Sequence, residues 1–138
     1  MECTLENIKG LYVGDVWYAL EDKIYRSDWN KNEENEAEDG LQFAVAGTPF
    51  GNGGYLGSDG REYSVDTSAI GVVDLRLATK NSLEELDRLG RVFPNADKVE
   101  FKANNGCFWI SVFEDGKRTE EYEIDTLHEY IYWMSEVF

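Results

Sequence analysis

The chain has 138 residues and a formal net charge of −15, from 28 acidic and 13 basic residues. Its length and its hydrophobic fraction of 42% predict one globular domain that buries about two-thirds of the surface of the extended chain. The acidic balance argues against a direct nucleic-acid binder, which needs a basic face, and against attraction to an anionic membrane.

The first third of the chain alternates strand patterns with short interruptions. Aromatic and β-branched residues over 11–20 predict a strand with a bulge at Gly14. Two apolar residues four positions apart indicate a short helix within 21–29. Residues 30–39 are polar and acidic and predict a loop, and residues 41–48 predict another strand.

The middle of the chain is rich in glycine, with eight of the 13 glycines between positions 40 and 71. A phosphate-binding loop would need a following helix, whereas the stretch 51–60 leads into a further strand pattern. The Asp-Gly pair at 59–60 favours a hairpin turn, and strands are predicted over 62–65 and 70–77.

Two capping boxes predict helices. Ser82 with Glu85 begins an apolar pattern that ends at Gly90, and a second box begins a pattern over 127–137. Both segments carry apolar residues at helical spacing, so we expect a short internal helix and a closing C-terminal helix.

Between these helices the pattern predicts a three-stranded meander. Strands over 97–103, 107–113 and 118–125 are separated by Asn-Gly and Asp-Gly turns. The expected fold class is α+β: an antiparallel, β-rich single domain of about seven or eight short strands with two or three short helices.

Four segments share a pattern of turns and strands: YVGDVWY at 12–18, FAVAGT at 43–48, GNGGY at 51–55 and YSVDTSAIG at 63–71. Together they are similar to a group of small β-rich proteins of bacteria and phages whose function is unknown. The resemblance covers roughly residues 11–77. It implies a β-rich fold and a mobile-element setting, and it implies no activity.

The cysteines and the acidic start of the chain bear on compartment and cofactors. Cys3 and Cys107 lie far apart without CxxC spacing, which predicts reduced thiols in the cytoplasm. No signal-peptide pattern is expected from the acidic first residues. With His128 as the one histidine, a zinc site is not expected, and we predict no cofactor.

A weak calcium-loop pattern lies in the acidic segment. Oxygen-bearing side chains occupy positions 1, 3, 5, 9 and 12 of such a loop: Asp28, Asn30, Asn32, Glu36 and Asp39. Position 6 is Glu33, where the sharp turn of a calcium loop requires glycine. A domain that binds calcium or a small ligand therefore remains an alternative interpretation.

Catalytic patterns are sparse. Asp15, Asp66 and His128 are candidate acid–base groups, but no Ser–His–Asp or Cys–His pair can be placed from the sequence. Cys107 precedes an apolar run, which is typical of a core thiol. We expect a protein without catalytic activity, and an enzyme with an unrecognised site remains a second alternative.

Two clusters of acidic residues are the most informative feature for function. Fifteen net charges spread evenly would be about four times more dilute than the charges on DNA, so mimicry of nucleic acid requires clusters. The candidate partner-binding residues are Glu33, Glu34, Glu36, Glu38 and Asp39 in the first cluster, and Glu114, Asp115, Glu120, Glu121, Glu123 and Asp125 in the second.

The second cluster suggests a partner. Glu121, Glu123 and Asp125 alternate along a predicted strand, which places their carboxylates on one face about 6.7 Å apart. This spacing is comparable to that of successive phosphates. We expect a binding protein that engages a basic surface of a partner protein; the sequence does not indicate the oligomeric state.

Overall fold

The structure, a computed structural model, describes residues 1–26, 33–36, 40–49 and 51–126. Within them lie two α-helices, α1 (Asp22–Tyr25) and α2 (Leu83–Leu89), and one 3₁₀ turn at Val16–Tyr18. The eleven strands of this part of the chain are β1 (Glu2–Glu6), β2 (Leu11–Gly14), β3 (Glu33–Glu36), β4 (Gln42–Gly47), β5 (Gly53–Leu56), β6 (Glu62–Val65), β7 (Ala69–Asp74), β8 (Arg91–Phe93), β9 (Lys98–Asn104), β10 (Cys107–Glu114) and β11 (Lys117–Asp125).

The expected α+β class is wrong. Strands hold 54% of the described residues and helices 13%, so the fold is mainly β, and eleven strands exceed the expected seven or eight. The additional strands β1, β3, β5 and β8 are short segments with little alternation. Hydrogen bonds to a neighbouring strand, which local sequence does not reveal, hold them in extended conformation.

The strands form three antiparallel sheets. A four-stranded sheet has the order β1-β9-β10-β11, a five-stranded sheet has the order β3-β4-β7-β2-β8, and β5 and β6 form a separate hairpin. The hairpin joins the edge of the four-stranded sheet through a bridge between Gly57 and Ile124, and the Ser58 N–H donates to the Glu123 carbonyl at 2.8 Å. The hairpin therefore covers part of the β11 edge.

The five-stranded sheet is buried on both faces. One face packs against the four-stranded sheet and the hairpin, around residues such as Val72, Phe101 and Ile110. The other face packs against the 3₁₀ turn and α2, around residues such as Val73 and Leu86. This double burial explains why β2 and β7 are buried at every position and lack an alternating pattern.

Gly71 marks a close approach in the centre of this sheet. A Cβ atom at Gly71 would clash with the carbonyl oxygen of Ala44 on β4 and would lie 2.8 Å from Val16 Cγ1. The position therefore requires glycine because no side chain fits between β7 and its neighbours.

The four-stranded sheet is buried on one face only. Along β9 and β10, buried residues such as Phe101 and Ile110 alternate with exposed or half-buried ones, as expected for a sheet with one face in solvent. The predicted meander is confirmed here with nearly the predicted bounds, and its two turns place Asn105 and Asp115 at positive φ.

Three predicted elements are shorter in the structure. The strand predicted over 11–20 ends at Gly14, because the Asp15 carboxylate accepts a hydrogen bond from the Trp17 N–H and begins the 3₁₀ turn. The helix predicted within 21–29 is described as the single turn α1. The strand predicted over 70–77 ends at Asp74 in a turn.

The internal helix begins at the predicted N-cap. Ser82 Oγ accepts a hydrogen bond from the Glu85 N–H at 3.2 Å, which confirms half of the capping box. The Glu85 carboxylate pairs with Arg88 in the next turn. The closing helix predicted over 127–137 lies outside the described residues.

Candidate functional site

The exposed surface of the four-stranded sheet, which we call the outer face, holds three of the six residues of the second acidic cluster. The pairing of the four strands aligns the side chains of this face in four rows across the sheet. Three rows extend from β1 to β11, and the fourth extends from β9 to β11. The rows are Asn104–Cys107–Asp125, Glu2–Lys102–Trp109–Glu123, Thr4–Glu100–Ser111–Glu121 and Glu6–Lys98–Phe113–Arg118.

Trp109 lies in the middle of the outer face with 36% of its surface exposed. Its direct neighbours across the sheet are Lys102 and Glu123, at the roughly 5 Å Cβ separation of paired positions. Three further carboxylates lie diagonally, within reach of long side chains: those of Glu100, Glu121 and Asp125. Four carboxylates thus lie around this ring, and Lys102 is the cation directly opposite it.

The basic residues of the outer face lie over its aromatic rings or beside its carboxylates. Lys98 Nζ lies 4.8 Å from the centre of the Phe113 ring and 3.8 Å from Glu100 Oε1. Arg118 Nη1 lies 3.4 Å from Glu121 Oε2, and both side chains are more than half exposed. Exposed ion pairs contribute about 0–1 kcal/mol, so a partner can replace them at little cost.

A shallow depression of about 450 Å³ lies beside Trp109 on this face. Its walls include Glu2, Thr4, Glu100, Trp109, Ser111 and Glu121. Carboxylates and one aromatic ring are the groups that bind a guanidinium or ammonium group, by ion pairing and by contact with the negative face of the ring.

Cys107 lies on the outer face and is half-buried, so it is not the core thiol that the sequence suggested. Burial and the neighbouring carboxylates of Asp125 and Glu123 raise the pKa of the Cys107 thiol. The protonated thiol is a poor nucleophile, which argues against a thiolate reaction at this place.

The structure divides the second acidic cluster between two surfaces and a turn. Glu121, Glu123 and Asp125 lie on the outer face, whereas Glu120 lies on the opposite side of β11 and pairs with Arg91 at 2.8 Å. This change of side follows from the alternation of side chains along the strand, because Glu120 directly precedes Glu121.

The remaining two residues of that cluster lie at the end of the β10–β11 hairpin. Glu114 is half-buried and stands opposite Lys117, and Asp115 is exposed on the turn. The backbone N–H of Asp115 donates to Asp97 Oδ2 at 2.9 Å.

The first acidic cluster is described only in part. Glu33, Glu34 and Glu36 lie on β3, which pairs with β4 where a loop was predicted, and Glu36 is exposed. β3 contacts β1, and β1 forms the opposite edge of the four-stranded sheet from β11, about 14 Å from β11 by strand spacing. Glu38 and Asp39 lie outside the described residues.

The calcium-loop candidates are mostly outside the described part of the chain. Asp28, Asn30, Asn32 and Asp39 lie there, and the fifth candidate, Glu36, belongs to an extended strand. Among the residues that the structure describes, no group of three or more His, Cys, Asp or Glu side chains could hold a metal ion.

Asp15 has a structural role that its sequence context does not show. Its carboxylate is fully buried and accepts hydrogen bonds from the N–H groups of Trp17, Asp66 and Thr67 and from the Thr67 hydroxyl, at 2.7–3.0 Å. These four bonds join the 3₁₀ turn to the β6–β7 connection and occupy the oxygens that acid–base chemistry would use. The Asp66 side chain is exposed, and His128 lies outside the described residues.

One cluster of polar side chains was not found from the sequence. Arg91 on β8 donates to Asp59 Oδ2 at 2.9 Å and to Glu120, and Tyr63 Oη donates to Asp59 Oδ2 at 2.6 Å. Tyr122 stacks on Tyr63, with ring centres 6.1 Å apart. Burial lowers the pKa of Arg91, but the bonds to Glu120 and Asp59 outweigh it and leave the pKa above its ordinary value. The cluster joins the hairpin to both sheets.

Comparison of the chain with protein-family models, with curated proteins and with solved structures finds no match. No helix in the described part of the chain is long and apolar enough to span a bilayer.

Proposed function

We propose that this chain is a non-catalytic binding protein whose outer face engages a basic surface of a partner protein. The observation that carries the proposal is the group of four carboxylates around Trp109. Lys102 stands opposite the ring, and Lys98 and Arg118 lie beside two of these carboxylates in surface pairs that a partner can replace. The carboxylates lie beside a half-exposed aromatic ring and a depression, which are features of binding surfaces.

A finer form of the proposal is competition with nucleic acid. Glu121, Glu123 and Asp125 follow one another on the same side of β11, about 6.7 Å apart. A basic surface that binds successive phosphates could bind these three carboxylates instead. An inhibitor encoded by a phage or a mobile element would act in this way. In this form, the protein should release a labelled DNA duplex from an arginine-rich peptide.

The experiment is a titration of the protein with a fluorescently labelled arginine-rich peptide, followed by anisotropy. We expect binding that weakens at least tenfold between 50 mM and 500 mM NaCl, because the salt screens exposed charges. An acidic peptide of the same length should not bind. An affinity that is unchanged across this salt range would contradict the proposal.

Two double variants with the same net charge test the location of the surface. E121Q/E123Q removes two carboxylates from the outer face, whereas E62Q/E84Q removes two exposed carboxylates elsewhere. We expect E121Q/E123Q to weaken peptide binding about fivefold more than E62Q/E84Q at 50 mM salt. Equal weakening would show that the peptide responds only to the total charge of the protein.

A further inference from the structure

Elsewhere in this fold, cations lie over aromatic rings with carboxylates close beside them. Lys80 Nζ is 3.3 Å from the centre of the Trp17 ring and 3.5 Å from Asp22 Oδ1. The Arg91 guanidinium is 4.5 Å from the centre of the Phe93 ring and pairs with two carboxylates at 2.9 and 2.8 Å. In both cases the ring and at least one carboxylate hold the same cation.

At Trp109 the ring and the carboxylates are present, and the cation lies further from the ring than in these two cases. Lys102 Nζ lies 5.5 Å from the centre of the Trp109 ring, and the Lys102 side chain is exposed. The depression beside the ring is lined by Lys102 and by the carboxylates of Glu100 and Glu121. Trp109 is 36% exposed, so a second cationic group can approach the ring from solvent.

We infer that Trp109 and its flanking carboxylates receive an arginine side chain of the basic partner, in competition with Lys102. This inference rests on the proposed function and names the partner's contacting group. A guanidinium is planar, so it can stack on the indole and donate two parallel hydrogen bonds to one carboxylate of the outer face. Lys102 supplies the positive charge at this site in the absence of the partner.

The probe is a short peptide with one central arginine, compared with the same peptide carrying citrulline, which keeps the shape of the side chain and lacks its charge. Binding is measured at 50 mM NaCl by NMR, from the shift of the Trp109 indole N–H. We expect the arginine peptide to move this signal and the citrulline peptide to leave it in place.

Three single variants separate the contribution of the Trp109 ring from the general electrostatic attraction of the peptide to the outer face. W109L should weaken binding of the arginine peptide about two- to fivefold, because it removes the ring and keeps an apolar side chain. K102Q should strengthen binding about two- to fivefold, and more than K98Q, which removes an equal charge from the same face but above Phe113. The melting temperature of each variant reports whether it folds.

The outcomes distinguish this inference from the function on which it rests. If the wild-type protein binds the arginine-rich peptide in a salt-dependent way and W109L binds the single-arginine peptide as well as the wild type does, the inference about Trp109 is wrong and the proposed function stands. An effect of K102Q no larger than that of K98Q also counts against the inference. If the wild-type protein shows no salt-dependent binding, both proposals fail.

Discussion

Arg91 Nη1 donates a hydrogen bond to Asp59 Oδ2 at 2.9 Å, and this contact joins an edge strand of the five-stranded sheet to the turn of the β5–β6 hairpin. Only 3% of the Asp59 side chain and 19% of the Arg91 side chain are exposed. The second arm of the guanidinium reaches Glu120 on the four-stranded sheet. One side chain thus connects all three sheets.

Removal of this guanidinium should destabilise the fold strongly. R91M would leave the Asp59 carboxylate buried without its cation, and we expect a loss of about 3 kcal/mol in the free energy of unfolding. Urea denaturation measures the loss. The control R88M removes an arginine whose pair with Glu85 is on the surface, and its denaturation midpoint should stay close to that of the wild type. Equal midpoints for the two variants would contradict the assigned role of Arg91.

The stacked tyrosines should respond in opposite ways to loss of the hydroxyl group. Y63F removes a donor to Asp59 and should lower the free energy of unfolding by about 1–3 kcal/mol. Within the described residues the buried Tyr122 hydroxyl has no partner at full hydrogen-bond geometry and interacts with the neighbouring Tyr63 hydroxyl, so Y122F should be neutral or should stabilise by about 1 kcal/mol. Thermal and urea denaturation at pH 7 compare the pair. A larger loss for Y122F than for Y63F would show that the Tyr122 hydroxyl has an essential partner.

Stability should decline in alkaline solution. Burial raises the pKa of Tyr12, Tyr63 and Tyr122 above the ordinary tyrosine value near 10. Because each stays protonated in the folded state and ionises on unfolding, its contribution is complete below pH 10 and is lost as the pH rises towards its folded-state pKa. The slope approaches about 1.4 kcal/mol per pH unit for each tyrosine.

The absorbance of tyrosinate tests this expectation directly. In a titration from pH 8 to pH 12, the absorbance of three of the eight tyrosines should appear only with the loss of folded structure. Unfolding free energies measured at several pH values should fall across the same range. Ionisation of all tyrosines near pH 10 in a protein that stays folded would disagree with the burial of these three.

Asp15 should be required for stability. Four hydrogen-bond donors face the Asp15 carboxylate, and D15N would replace one of its two acceptor oxygens with an NH₂ group that cannot accept from them. We therefore expect a loss of about 3 kcal/mol in the free energy of unfolding. The neighbouring variant D66N changes an exposed side chain and should stay within about 0.5 kcal/mol of the wild type. If D15N were as stable as D66N, Asp15 would be free to serve a function other than holding the fold.

Two glycine-to-alanine substitutions should differ because of what the new methyl group meets. In G71A the methyl group would meet the Ala44 carbonyl in the centre of the five-stranded sheet, and we expect a loss of about 3 kcal/mol. In G54A it would meet the end of the flexible Glu62 side chain, which can move aside. Denaturation midpoints compare the two variants, and similar values would mean that the sheet can widen at Gly71.

The part of the fold that the sequence predicted best is the meander of β9, β10 and β11. Its turns are visible in the local sequence, because Asn-Gly and Asp-Gly pairs tolerate positive φ. Because only one face of the sheet is buried, buried and exposed residues alternate along its strands. The same period predicted correctly that Glu121, Glu123 and Asp125 share one face. Helix α2 was predicted from a signal that is equally local, the N-cap residue Ser82.

Elements without a local signal were missed or misjudged. β3 consists of Glu33–Glu36 without an apolar residue, and its strand conformation depends on hydrogen bonds to β4. The Arg91 cluster brings together residues 32 and 29 positions apart, so no sequence window contains it. Asp15 likewise resembled a candidate acid until its partners 51 and 52 positions away were in place.

By itself the sequence determined the charge of this protein, its wealth of strands and the alternation that lines up acidic side chains along β11. Only the tertiary structure decided that Glu120 pairs with Arg91, and that Trp109 stays at the surface among carboxylates. The physical reason is range. Turn chemistry and side-chain alternation act between neighbours in the chain, whereas the pairing of sheets and the burial of charges depend on residues that meet only in the folded molecule.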